Sequence, residues 1–486
     1  MPEPTAVSRD ATRAPIGWVG RLFGNVRLAY LPVLITYFCY GASGITTIAL
    51  LFFQKDTLRI TPADAAAIAF WVALPWSTKM VAGVASDVYP IFGSHRKAYL
   101  LLGALASLAG YAWLATAVHT RGAYLAAMVL VTVGFMVQDV VADALSVEVA
   151  DTDEEIAQVQ ALGRMALLIG SISVGYLSGR LAAVIGSRAV FAAAMILPLL
   201  VAGAAWLVRP RVRRVQPTSG GALGPDKARL VLLVGLGYAS LGVVLEVFSV
   251  PFSQEIVLAV SGILIVALLG RVGISRSVAI AAFAIFLFRA VPGVGQGYSY
   301  WAIDRLGFDQ EFLGILAQVS SMLSLAGLIV FRKAITARPV SFTLFWVTVL
   351  GSLLSLPTIG LFYGANEWFG LSPRAFAFID TTIAAPLAQL SMVPMLALIA
   401  KTAPEGAEAT MFAIMASLMN LALSASELGT QYLNVAFGVT QQDYGNLGRL
   451  MITVAVIGLI PLLALPLLRR EETGPSPGAA PSRAPA

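Results

Sequence analysis

Long uncharged runs broken by short polar stretches dominate this chain, and each run is about as long as a bilayer crossing. Leu28 to Phe53 carries no charge over 26 residues, and about 20 mostly apolar residues at 1.5 Å each suffice to span the hydrocarbon core. Runs near 64–86, 98–118, 122–149, 157–185 and 188–208 complete a group of six. A basic linker, RPRVRRVQPTSGGALGPDKAR, then precedes runs near 230–250, 254–270, 277–303, 310–331, 340–363, 375–400, 408–436 and 447–468. The pattern predicts an all-α polytopic membrane protein of about fourteen transmembrane helices, with no soluble domain.

Composition agrees: 58% of the 486 residues are hydrophobic and 12% charged, against about 25% charged in soluble domains. The first run is too long for a signal-peptide core and lacks a cleavage site, so it is expected to stay as the first span. A net charge of +6 raises the question of a nucleic-acid partner, but the placement of the basic residues answers it. With the N-terminus inside, 21 of the 32 Lys and Arg fall in inner segments, 7 in outer ones, and Lys79, Arg164, Arg180 and Arg289 within spans. Lys and Arg resist translocation, so the bias predicts both termini in the cytoplasm. Short loops and brief tails suit a bacterial inner membrane.

Enzyme chemistry finds no foothold. The sequence has one cysteine, Cys39, and two histidines, His95 and His119, so neither a disulfide nor a His/Cys metal cluster is expected. No G-x-x-x-x-G-K-[ST] stretch occurs, hence no nucleotide-driven pump on this chain. No cofactor is expected, and energy has to come from a gradient.

A weak internal repeat organises the spans. AGVASDVYPIFGSHRKAYL from Ala82 matches AGLIVFRKAITARPVSFTL from Ala326: each puts Ala-Gly at an inner helix end and an Arg-Lys pair in the loop beyond. The match makes 277–303 the seventh core helix and 230–270 an inserted hairpin. The expected layout is a cytoplasmic segment (1–27), a six-helix half (28–208), a linker with the hairpin (209–276), a second six-helix half (277–468) and a tail (469–486). Two parallel six-helix halves are the major facilitator architecture.

Residues 75–99, PWSTKMVAGVASDVYPIFGSHRKAY, concentrate polar groups in an otherwise hydrocarbon region. Gly83 would let a neighbouring backbone come close, Asp87 sits one turn later at the membrane edge, Pro90 and Gly93 turn the chain, and Arg96 and Lys97 follow. This resembles the gate motif of major facilitators, in which a helix-end Asp and loop Arg make contacts with the opposite half. P-W-x-x-K followed by G-x-x-S-D-x-x-P-I-x-G-x-x-R is narrower and resembles the folate-biopterin transporter family. So do LGFDQEFLG (306–314), MVPMLALIAKTAPEGAEATMFAIMASLMNL (392–421) and FGVTQQDYGNLG (437–448). The resemblance implies a secondary active transporter, proton-coupled, carrying folate- or pterin-like organic anions by alternating access. Its partners would be that small-molecule substrate, protons and the lipid bilayer. Some positions differ: Met80 replaces the usual Pro, Gln138 a Ser, Arg164 an aromatic residue, and FRAVP puts Arg289 where the family usually has Gln. QDVVADA is also similar to muropeptide permeases, so a permease for such a solute, or a non-transporting receptor or assembly factor, stays open.

Charges within spans cost several kcal/mol each and usually face the protein interior with a partner. By helical rise Lys79 lies roughly 22 Å and Asp139 roughly 25 Å from the outer face, and Arg164 roughly 10 Å from the inner one. These three share one layer. Asp139 and Asp143, four apart, share a helix face and are candidates for proton coupling or for an inner gate locked by Lys79 and Arg164. Arg289, near mid-membrane and followed by Pro292, Gly293, Gly295 and Gly297, offers a planar fork to a carboxylate. Substrate-binding candidates are Arg289, Arg164, Lys79, Trp76, Gln318 and Gln389. Trp71, Trp76, Phe286 and Phe288 could stack on a flat ring, and Gln318 or Gln389 could bond its edge or another helix. Asp380 and Glu427 are outer-gate candidates, and Glu246, in the inserted hairpin, is expected to snorkel or to pair locally.

Overall fold

The computed structural model describes residues 27–208, 225–272, 275–336, 338–388, 390–402 and 408–473. Residues 1–26, 209–224, 273–274, 337, 389, 403–407 and 474–486 lie outside the described residues.

Twelve helical stretches among the described residues are long and apolar enough to cross a membrane. One, Glu154–Ala205, is two helices joined at Gly186, whose φ of 76° and ψ of 164° break the helical path. Another passage, Arg276–Arg289 and Gln296–Leu306, is interrupted. Counted this way the crossings number fourteen, in line with the hydropathy pattern. We label them α1 (Leu28–Thr57), α2 (Pro62–Val88), α3 (Lys97–Thr116), α4 (Arg121–Glu148), α5 (153–185), α6 (187–205), α7 (Pro225–Val247) and α8 (Ser253–Val272). Then follow α9a (Arg276–Arg289), α9b (Gln296–Leu306), α10 (Gln310–Thr336), α11 (Val340–Phe362), α12 (Pro373–Thr402), α13 (Glu408–Ala436) and α14 (Leu447–Arg470).

The starts of α4, α5, α9a and α12 are set locally. Thr120, Thr152, Ser275 and Ser372 each accept the backbone N–H three residues on, at 3.2 Å, which satisfies a donor the first helical turn leaves unpaired. Asp309 does the same for α10, accepting from Phe312 N–H at 2.8 Å.

The chain forms two compact units. The first takes residues up to Ile60, Trp71–Ser253 and Gly307–Ser321. Its core gathers Tyr30, Val33 and Tyr37 of α1, Leu100 of α3, Val141 and Leu145 of α4, and Val201. α3 and α4 meet backbone to backbone: a Cβ on Gly134 would stand 2.5 Å from Ser107 N, so only glycine admits this approach. Arg27 ties the start of α1 to that of α5, pairing with Asp151 at 2.9 Å and Glu155 at 2.7 Å. At the other end of α5, Tyr176 donates its hydroxyl to Glu311 of α10 at 2.8 Å, and Arg180 pairs with the same carboxylate at 3.3 Å.

The second unit takes Thr61–Phe70, Gln254–Leu306 and the chain from Met322. Its core is built from α9a (Val278, Ala281, Ile285), α13 (Met411, Met415, Met419), Ile399 and Leu468. Methionines here fill irregular gaps between helices. Arg332 and Lys333 lie within helix α10, which runs to Thr336. This corrects the expectation from the repeat that both Arg-Lys pairs occupy loops: no Pro or Gly follows Lys333 until Pro339, so nothing stops the helix earlier.

Candidate functional site

The first unit assembles a charged layer. Pro75 interrupts α2, which restarts at Lys79 after Thr78 leaves the helical region (φ −103°, ψ 12°). Lys79 then bridges both acids of α4: its ammonium pairs with buried Asp139 and, at 2.9 Å, with Asp143. One turn apart on one face, the two carboxylates converge on one cation. Tyr37 of α1 donates its hydroxyl to the other oxygen of Asp143. Arg164 of α5 lays its guanidinium 5.6 Å from the Tyr37 ring centroid, a cation–π contact, and forms no ion pair with either acid among the described residues. The expected four-charge cluster is thus a Lys79–Asp139–Asp143 triad, with Arg164 held at one remove by an aromatic ring. Tyr37, Lys79 and Asp139 each stand about 14 Å of helical rise from the near end of their helices, which is why they meet.

Beside this layer is a cavity of about 230 Å³ lined by Tyr40, Thr47, Trp76, Tyr111, Thr132 and Phe135 among others. Trp76 and Tyr40 rings lie 5.4 Å apart, and Tyr40 and Phe135 5.9 Å apart. The chamber offers aromatic faces and hydroxyls, the surroundings suited to a flat polar ring. Trp71, by contrast, faces a separate lateral crevice.

The motif after α2 closes on itself. Phe92 and Gly93 both take positive φ, 48° and 73°, and Ile91 and Ser94 exchange backbone hydrogen bonds at 3.0 and 3.1 Å, a two-residue hairpin turn. The turn delivers Arg96 to three partners: Asp87 at 2.7 Å, Ser86 Oγ at 2.8 Å and Glu148 of α4 at 2.7 Å. All three lie in the same unit as Arg96. Burial alone would lower the Arg96 pKa, but Glu148 and Asp87 outweigh it and the pKa is raised. Lys97 sets its ammonium 3.6 Å from the Trp206 ring centroid. The expectation for Gly83 needs correction: a Cβ there would rest 3.7 Å from a Val140 methyl, ordinary contact, so no backbone approach demands the glycine.

In the second unit α9 unwinds between Arg289 and Gln296, where Pro292 lacks an N–H and Gly295 takes φ 67°. A polar stripe on α13 satisfies the opened backbone. Ser426 Oγ donates to Val291 O at 2.6 Å, Gly293 N–H donates to Thr430 Oγ1 at 2.8 Å, and Asn434 Nδ2 donates to Val294 O at 3.1 Å. Arg289, the last residue before the break, has Met392 Sδ at 3.2 Å from one terminal nitrogen. Its Nε is buried with no hydrogen-bond partner, and no carboxylate of the described residues pairs with it. Thioether sulfur is a weak acceptor, so this cation lacks a counter-charge where one is most needed.

Other candidates fall elsewhere. Gln318 Oε1 accepts the Tyr176 backbone N–H at 3.0 Å, which is the helix–helix alternative the sequence left open. Asp380 accepts from Thr358 Oγ1 at 2.7 Å, while its Oδ1 is buried without a partner among the described residues. Glu427 is half-buried on α13. Glu246 of α7 stands 3.9 Å from Arg121 at the start of α4, a partner on another helix. Gln389 lies outside the described residues.

The sequence profile of the BT1 family matches residues 41–475. The chain belongs to the BT1 family. A Synechocystis relative named folate-biopterin transporter is 30% identical over 443 residues, covering 90% of this chain and 81% of that one. Folate transporter 1 of Plasmodium falciparum is 21% identical over 436 residues, covering 88% and 77%. Among solved structures, a POT family transporter in complex with a thioalcohol-conjugated peptide superposes with a TM-score of 0.69 at 14% identity, over 93% of this chain and 98% of that one. A variant of the nucleoside transporter NupG gives 0.64 at 11% identity, over 90% and 99%. At such identities the likeness concerns fold: this BT1 member is an all-helical, multi-pass membrane transporter of the major facilitator fold, and not an enzyme.

Apart from Glu148, which pairs with Arg96, the contacts that residue reading missed belong to side chains without formal charge. Tyr37 is one of several tyrosines in α1, and nothing local marks it as the one aimed at Asp143. The stripe Ser426, Thr430, Asn434 was visible as polar residues four apart, and only the break in α9 gives it a task.

Proposed function

We propose that this BT1 member moves a folate- or pterin-like organic anion across a bacterial inner membrane by alternating access, driven by protons, with both termini in the cytoplasm. The observation that carries the reading is Arg289: a half-buried guanidinium at an unwound helix, its Nε unpartnered and no carboxylate paired with it among the described residues. Burying an unpaired cation costs several kcal/mol, and a substrate carboxylate supplies the missing charge through a two-pronged hydrogen bond. Helix interruptions near mid-membrane are where transporters of this kind hold anions. The Synechocystis relative's name supports the choice of folate or biopterin.

The proton path runs through the charged layer of the first unit. Lys79 with two aspartates sums to one net negative charge, which a proton neutralises while loosening one ion pair. A binding event so coupled converts a pH gradient into motion.

The test is uptake of radiolabelled folate into proteoliposomes under an imposed pH gradient. Uptake that unlabelled biopterin suppresses, and that collapses without the gradient, supports the reading. Uptake of a muropeptide that excess folate and biopterin leave untouched contradicts the substrate assignment. Equal folate uptake with and without the gradient contradicts the coupling.

A further inference from the structure

The first unit holds a second, larger cavity that the transport reading does not use. It measures about 1030 Å³ and lies between α2, α4 and α7, the first helix of the inserted hairpin. α7 packs on the second part of α2. The contact is tight at Gly235, where a Cβ would stand 2.6 Å from Val81 methyls, and again at Gly242, where it would stand 3.4 Å from the Trp71 ring. These glycines are seven apart, two turns along one face. Toward α4 the helix stands off, and the gap is crossed by the Arg121–Glu246 pair at 3.9 Å.

The walls of this crevice are aliphatic, Leu74, Leu125, Val129, Leu232 and Val243 being representative. Lining positions run from Arg121 to Met136 on α4, about 22 Å of helical rise, against roughly 15 Å for the hydrocarbon depth of one leaflet. Water does not fill such a space, because each molecule needs two to four polar partners. An empty crevice forfeits the dispersion contacts of all its walls. The material at hand in a bilayer is an acyl chain. At the mouth stands Arg121, 45% exposed along its side chain, where a headgroup lies. A guanidinium presents five N–H donors, so Glu246 and a phosphate can share it.

We propose that the crevice is a phospholipid site: acyl chain between α7 and α4, phosphate diester on Arg121. The inserted hairpin is then fastened to the core partly through a bound lipid, whichever solute the protein carries. The exposed guanidinium of Arg121 is the donor for a phosphate, and the length and apolarity of the crevice suit an acyl tail.

Native mass spectrometry of the purified full chain, released from detergent after incubation with phosphatidylglycerol, tests this. The wild type is expected to keep one lipid adduct at activation energies that strip detergent. Ala126→Trp with Ala239→Trp fills the crevice and is expected to lose the adduct at least tenfold, and Arg121→Gln to weaken it about as much. Both alanines face the space and are exposed, so the double variant does not disturb the core. Independently, a phosphatidylglycerol brominated on its chains is expected to quench the wild type more than Trp71→Phe, because Trp71 lines the crevice. No wild-type adduct, an adduct that survives filling in a monodisperse double variant, or equal quenching of the wild type and Trp71→Phe would each overturn the proposal.

Discussion

Tyr37 donates its hydroxyl hydrogen to the Asp143 carboxylate whose other oxygen holds Lys79, so one acid of α4 is shared between α1 and α2. A carboxylate held from two helices couples protonation to helix position, since a proton on Asp143 weakens both contacts at once. Asp139, buried a turn earlier, has Lys79 as its ion-pair partner. The two acids therefore differ in what they release: Asp139 frees the cation, and Asp143 frees the cation and the tyrosine.

Asp139→Asn and Asp143→Asn are each expected to flatten the dependence of uptake on the imposed pH gradient. Tyr37→Phe, which keeps both charges, is expected to shift the pH profile without abolishing uptake, because a hydrogen bond to a charged acceptor contributes about 1.5–3 kcal/mol. Initial rates between pH 5 and 8 measure this. An unchanged profile in both aspartate variants would assign the triad to structure alone.

Lys79→Ala is expected to destabilise the folded protein by about 3 kcal/mol, since it leaves two acids one turn apart without their cation. Lys79→Ala with Asp139→Asn is expected to recover part of that loss, a non-additivity typical of residues in contact. Thermal midpoints in detergent at one pH give the cycle. Additive shifts would mean the pair contributes nothing.

Arg96 spends each of its three nitrogens on a different partner. Its pKa is raised in the folded state by Glu148 and Asp87, which outweigh burial. A raised cationic pKa gives stability that is complete below the unfolded value and is lost only as pH rises through the folded one. An arginine titrates only at strongly alkaline pH, so this network is expected to be insensitive to pH across the working range. Glu148→Gln and Arg96→Ala should slow transport to a similar degree with little change in KM; a loss confined to KM would place Arg96 in substrate binding instead.

The polar stripe of α13 gives a prediction about the break in α9. Thr430→Val removes the acceptor for Gly293 N–H, and leaving a buried donor unpaired costs about 1–3 kcal/mol. The variant is expected to show lower thermal stability and weaker substrate binding together, whereas Thr430→Ser restores both. Full binding in Thr430→Val would show that the stripe does not shape the site.

What the sequence revealed and concealed follows from the range of each force. Hydrophobic length and the Lys/Arg bias are summed along the chain, so the fourteen passages and the interruption after Arg289 were legible from composition and from Pro292 and Gly295. Charges in hydrocarbon must find partners, so Lys79, Asp139 and Arg164 could be placed in one layer before any coordinates, although Arg164 meets the Tyr37 ring and not an acid. Which neutral group turns toward them depends on helix rotation, which periodicity does not fix. Tyr37 was therefore missed, as was the turn that brings Arg96 to Glu148, and Gly83 was credited with a close backbone approach where a Cβ would meet only a Val140 methyl at 3.7 Å. Gln318 illustrates the same limit: an amide within a span serves a ligand or a neighbouring helix equally well, and the proximity of Tyr176 decided it.

The central claim is that Arg289 receives the substrate's carboxylate, and ligand-induced stabilisation of the purified protein tests it most directly. A ligand that binds only the folded state raises its melting point. Folate is expected to raise the midpoint of the wild type, Arg289→Ala to fold normally but show no shift, and Arg289→Lys, which keeps charge without the fork, to show a reduced one. An undiminished folate shift in Arg289→Ala would contradict the claim.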